Sequence, residues 1–192
     1  LALTAVLGLA GCDDQKSKAA AAASAPKVAP TRRVSVLVTG HETGHLVTNA
    51  PRLSAQWKKK DRWPDAIALS TGDAFSGLAI SSHFEGLPTA EVMKALQYKA
   101  SALGNHDFDL GLETLQKFRA ASGVTFLAAN LQDKPGSAAP LKLEPFTVIE
   151  REGVKVGVVG LTSEKTIATT GAGRASALQL LPTEQALPPA LT

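Results

Sequence analysis

Across 192 residues the chain has one cysteine, one methionine, one tyrosine, two tryptophans and four histidines. A single thiol, Cys12, excludes an intrachain disulfide, so the fold has to rest on an ordinary apolar core. Aromatic residues make up only 5% of the chain and are not interleaved among the basic ones, and the formal charge is a modest +3. That combination is no nucleic-acid footprint, and no nucleic acid is expected as a partner. No apolar run approaches the roughly 20 residues that cross a bilayer. Neither a Gly-x-Ser-x-Gly nucleophile elbow nor a Walker-type phosphate loop occurs, which removes two common routes to hydrolysis. What remains is 44% hydrophobic and 19% charged, the composition of one globular domain.

The N-terminus reads differently from the rest. Residues 1–12, "LALTAVLGLAGC", are an apolar stretch of signal-peptide character ending in small residues and the only cysteine. Leu9-Ala10-Gly11-Cys12 resembles a bacterial lipobox, which makes Cys12 a lipidation site. A lone buried cysteine behaving as a small hydrophobe is the plainer alternative. Residues 13–32, rich in Ala, Lys, Ser and Pro, have little to bury and read as a flexible linker. The expectation is a protein of the bacterial cell envelope, exported and lipid-anchored on the periplasmic side, with its membrane contact through the acyl chain. The basic run "WKKKDR" (Trp57 to Arg62) reads as a solvated face, with an anionic substrate or lipid surface nearby as the alternative.

From residue 33 onward, short apolar runs alternate with helical patterns. Val34 to Gly40 and Ala66 to Asp73 read as buried strands ending in Gly-bounded turns. Thr89 to Tyr98 reads as a helix with Thr89 as N-cap. "ASALGNHD" closes a third strand, "LGLETLQKFRAAS" is a helix and "VTFLAAN" a fourth strand. Phe146 to Thr162 is two β-rich runs joined by Glu152-Gly153, a hairpin signal. This order indicates an α/β layered domain.

Three strand ends carry polar, Gly-punctuated loops: Thr39 to His45 (TGHETGH), Thr71 to Gly77 (TGDAFSG) and Leu103 to Asp109 (LGNHDFD). Strand-end loops on a rigid sheet collect function, and O and N donors from three of them can converge on a divalent cation. In isolation each residue has a plain reading: Asp73 as a turn or helix cap, Asn105 as a turn former, a histidine as a packed or surface residue.

Gly72-Asp73, followed after about 30 residues by "GNHDFDLG", then "FLAANL" and "GVKVGVVGLT", resembles the metallophosphoesterase (calcineurin-like) superfamily and, within it, the catalytic domain of the bacterial 5'-nucleotidase branch. The resemblance covers Val34 to Thr162. It implies a layered α/β/β/α sandwich, incomplete at the C-terminus, with 33–192 a partial catalytic domain. It also implies two divalent metal ions (Mn, Zn, Fe or similar) and hydrolysis of a phosphate ester, the substrate a nucleotide, by activated water. On the matching positions, Asp73 is the metal-bridging carboxylate and Asn105 an amide ligand. His106 is the catalytic imidazole, Asp109 the carboxylate that orients it, and Asp107 a structural residue.

The sequence departs from the family pattern in two ways. The first metal motif, Asp-x-His, falls in "VLVTGHETGHL", where His41 stands for the Asp and Thr43 for the His. His41 remains a candidate metal ligand, with Glu42 or His45 as substitutes through a shifted loop, and a polar surface loop is the plain alternative. The later family histidines have no counterpart, since the only histidines are His41, His45, His83 and His106; His83 is expected to pack or face solvent. The expectation is therefore a truncated hydrolase; the alternative is a catalytically inactive, envelope-anchored module that binds a nucleotide, a metal or a protein.

Overall fold

The computed structural model describes residues 32–59, 65–138, 140–171 and 173–190. The readings of residues 1–12 and 13–31, including Cys12, lie outside the described residues, as do Lys60 to Arg62 of the basic run. A compact unit begins at Arg32.

Strands β1 (Val36–Thr39), β2 (Ile67–Ser70), β3 (Tyr98–Ser101) and β4 (Thr125–Phe126) form one parallel sheet in that order. The connections carry helices: α1 (Leu46–Lys59) between β1 and β2, α2 (Ala79–His83) and α3 (Leu87–Ala95) between β2 and β3, and α4 (Gly111–Ser122) between β3 and β4. A sheet wound sequentially by crossovers of one hand carries all its helices on one face. The core follows from this. Trp57 of α1, Met93 of α3, and Leu115 and Phe118 of α4 are buried together with Phe75, Tyr98 and Phe126. The Phe75 and Phe118 rings stack with centroids 4.5 Å apart. Alternate β1 residues Val36 and Val38 point away from that layer and are exposed. A groove of about 270 Å³ runs over this second face, lined by Val38, Leu69, Ala100, Leu127, Val158 and Leu161.

The chain continues through β5 (Leu131–Asp133), β6 (Phe146–Arg151), β7 (Val154–Val159), α5 (Thr166–Thr169), β8 (Leu178–Leu180) and α6 (Thr183–Ala190). β6 and β7 pair antiparallel from Phe146↔Val159 to Arg151↔Val154. Glu152 and Gly153 both have positive φ, 50° and 69°, as a two-residue turn matched to strand twist requires. A parallel bridge from Leu127 to Glu144 continues β4 toward this hairpin. β5 pairs antiparallel with β8.

The mixed α/β class is as expected, and two local expectations need correction. α3 starts at Leu87, not at Thr89, with Gly86 at its N-cap and Pro88 in its first turn, where proline is pre-organised for helix and its missing N–H costs nothing. Thr89 is fully buried, and its hydroxyl is 2.8 Å from that of Ser81. A buried hydroxyl takes whichever partner reaches it, which overrides its capping preference. The helix also ends at Ala95, and Tyr98 opens β3. Only Thr125–Phe126 of the expected fourth strand pair in the sheet. His83 is exposed at the end of α2, its ring edge-on to Phe84.

Candidate active site

The three polar loops leave the C-terminal ends of β1, β2 and β3, and parallel pairing sets those ends side by side: Thr39 opposes Ser70, and Ser70 opposes Ser101. Backbone bonds join the first loop to the second. The N–H groups of His41, Thr43 and Gly44 donate to the carbonyls of Gly72, Asp73 and Ala74 over 3.0, 2.8 and 2.9 Å. His41, Thr43 and Asp73 all hold positive φ, between 43° and 55°, a region L-residues visit only when their surroundings impose it.

The second and third loops are joined by Asp107, which is 1% exposed. Its Oδ2 accepts the N–H of Asp73 (2.8 Å) and of Gly104 (2.9 Å), and its Oδ1 accepts that of Ala74 (3.0 Å). Burial pushes this carboxyl up to about 6, against the opposing pull of its three N–H donors. The expected structural role of Asp107 thus has a definite form: one carboxylate closes two loops. Gly104 completes the junction, because a methyl group there would overlap the Asp73 carboxylate.

Asp73 is held by two histidines, one through its ring and one through its backbone. Its Oδ1 accepts the His106 backbone N–H at 2.8 Å, and its Oδ2 lies 3.0 Å from His41 Nδ1. The His41 and His106 rings stand 6.1 Å apart. His106 opens a 3₁₀ turn, His106–Phe108, and its Nδ1 lies 2.8 Å from Asp109 Oδ2. The hydrogen bond to Asp109 raises the His106 pKa, with burial working the other way. An imidazole held at Nδ1 by a carboxylate keeps Nε2 as its free ring nitrogen, and the side chain is 42% exposed. The Asn105 side-chain amide makes no protein hydrogen bond among the described residues; its backbone carbonyl lies 3.3 Å from the Thr170 hydroxyl, which also reaches the Thr166 carbonyl at 2.8 Å.

The structure therefore brings together His41, Asp73, Asn105, His106 and Asp109. It does not gather the remaining candidates of the first loop: His45 Nδ1 lies 3.2 Å from the Glu42 carbonyl and 3.4 Å from the Thr43 hydroxyl. Among the described residues no three His, Cys, Asp or Glu side chains form a metal-holding group. The donor set of Asp73, Asn105 and His41 suits part of the shell of one divalent cation by its chemistry, and it does not complete a pair of ions. Three contributors carried no sequence signal: Ser76, whose hydroxyl reaches Asp109 Oδ2 and the His106 carbonyl; Thr170; and Arg174, which donates to the Asp109 carbonyl.

No family model matches the chain. A 5'-nucleotidase of Vibrio cholerae is 36% identical over 100 residues, covering 52% of this chain and 18% of that protein. A probable 5'-nucleotidase of Treponema pallidum is 34% identical over 130 residues, 67% of this chain and 21% of that one. The crystal structure of a 5'-nucleotidase precursor from Thermus thermophilus matches with a TM-score of 0.67 at 25% identity, over 82% of this chain and 34% of that one. The chain belongs to the 5'-nucleotidase-like metallophosphoesterases. The solved relative shares the mixed α/β fold of this chain. The chain spans about a fifth of the length of the curated relatives it matches.

Proposed function

We propose that the protein is a metal-dependent hydrolase of nucleotide phosphate esters that works in the bacterial envelope. The observation that carries this reading is the His106–Asp109 pair, bonded at 2.8 Å beside the Asp73 carboxylate on adjoining strand-end loops. The relatives named 5'-nucleotidase support a nucleotide as the substrate.

Asp73, Asn105 and His41 would hold one divalent ion of Mn, Zn, Fe or a similar metal. When bound, such ions neutralise phosphate oxygens and lower the pKa of a bound water. The chain's own residues do the rest. Asp109 orients His106 and favours its protonated form, so that His106 presents a proton at Nε2 to a phosphate or leaving-group oxygen. Asp107 keeps the second and third loops in register while the ester is held. On the envelope side, the Leu9–Cys12 motif makes Cys12 the lipid attachment point.

The test is phosphate release from adenosine 5'-monophosphate in the presence of Mn²⁺, with wild type and His106→Ala compared. Loss of a positioned acid or base should lower kcat by roughly 10²- to 10⁴-fold; equal turnover in both would remove His106 from the mechanism. Labelling of growing cells with radioactive palmitate should mark the wild type and leave Cys12→Ala unmarked. Equal incorporation would rule out the anchor.

A further inference from the structure

Ser76 lies in the second loop and is 3% exposed. Its hydroxyl has one hydrogen and faces two acceptors of the third loop, Asp109 Oδ2 at 2.8 Å and the His106 carbonyl at 2.9 Å. Of the two, the charged carboxylate is the stronger acceptor. The oxygen reached is the one that also meets His106 Nδ1. Among the described residues, Ser76 and His106 are the only groups bonded to that carboxylate. Asp109 and His106 are 30% and 42% exposed at their side chains, so water competes for both, whereas the buried hydroxyl is fixed by packing.

We infer that Ser76 is a positioning residue: its hydroxyl locks the Asp109 carboxylate so that Oδ2 faces the His106 imidazole and keeps the ring proton on Nδ1. The step runs from the second loop to the third, so the loop that carries Asp73 also sets the tautomer of His106. The catalytic consequence rests on the proposed hydrolase function, while the tautomer does not.

Two readouts separate these levels. Long-range ¹H–¹⁵N correlations of the histidine rings, recorded at alkaline pH where the ring is neutral and with His106 assigned by the signal missing from His106→Ala, should show the Nδ1–H tautomer in the wild type. They should show a mixture of tautomers in Ser76→Ala. Ser76→Thr, which keeps the hydroxyl, should restore the wild-type pattern. In the phosphate-release assay, Ser76→Ala should lower kcat roughly tenfold with KM little changed, the usual scale for loss of a partner that orients a working histidine. If Ser76→Ala does not fold, Ser76→Cys, close in size and only a weak donor, is read in the same way. An unchanged His106 tautomer and unchanged kcat in a folded variant overturn the inference. A wild type that releases no phosphate, yet shows the tautomer change in Ser76→Ala, overturns the hydrolase reading and leaves the positioning role supported.

Discussion

The junction between the second and third loops and the junction between the first and second are built differently. In the former, a buried carboxylate, Asp107, accepts N–H groups from both loops, so side-chain chemistry holds the backbone. In the latter, backbone bonds set the path from His41 to Gly44, and the one side-chain hydrogen bond between the two loops among the described residues, His41 to Asp73, is 73% exposed at the histidine. A junction made of backbone bonds tolerates changes of side chain, because every residue except proline carries the same N–H and C=O groups, within what the left-handed backbone at His41 and Thr43 admits. One held by a buried carboxylate does not. The two altered positions of the first metal motif, His41 and Thr43, fall in the tolerant junction, and the intact GNHDFD run falls in the intolerant one.

The largest expected effect is to break the intolerant junction. Asp107→Ala leaves the N–H groups of Asp73, Ala74 and Gly104 buried without their acceptor, at about 1–3 kcal/mol each. The expected loss in denaturant unfolding is roughly 3 kcal/mol or more, accompanied by loss of phosphate release. A change below about 1 kcal/mol would show that water replaces the carboxylate and that the two junctions are equivalent.

The same residue gives a pH signature of intermediate size. Its pKa is raised on folding from 3.8 to about 6, so between those values the folded chain holds a proton that the unfolded chain has released. The stabilising contribution is full below the unfolded value and is lost as pH rises through about 6. At about 1.4 kcal/mol per unit, it is on the order of 3 kcal/mol. Unfolding free energies measured from pH 4 to 6, below the range in which the raised His106 adds its own slope, should fall with this slope in the wild type, and the slope should be absent in a folded Asp107→Asn. Equal pH slopes in the two would place the titration elsewhere.

Much of this arrangement was readable before the structure, for identifiable reasons. The β6–β7 hairpin follows from Glu152-Gly153, since few residue pairs accept two positive φ values in succession. The three loops were readable because Gly and Asp close the apolar runs that precede them. Asp107 was legible as structural through the family motif alone; its partners were not, because Asp73 and Ala74 are more than thirty positions away. Ser76 and Arg174 were invisible for the same reason, and nothing local to "AFSG" or "GAGRAS" distinguishes a positioning hydroxyl or a guanidinium donor. Thr89 was misread as a cap because capping preference is local, whereas its burial against Ser81 is tertiary. The left-handed backbone at His41 and Asp73 suits residue types that visit it more often than most, but at Thr43 it is imposed by the neighbouring loop, and nothing local indicates it.

The smallest effect sharpens the comparison from its tolerant side. His41→Asn removes the imidazole and leaves a residue that accepts the left-handed backbone at this position, φ 54°. Exposed ion-pair contacts contribute about 0–1 kcal/mol, so the unfolding free energy should fall by less than about 1 kcal/mol. The tautomer of His106 should be unchanged, because the Asp73 oxygen that meets the His106 backbone is not the one that meets His41. A loss as large as that of Asp107→Ala, or a changed His106 tautomer, would mean that the His41–Asp73 contact holds the loops together. It would then follow that the first loop is altered in sequence and yet is as essential to the geometry as the third.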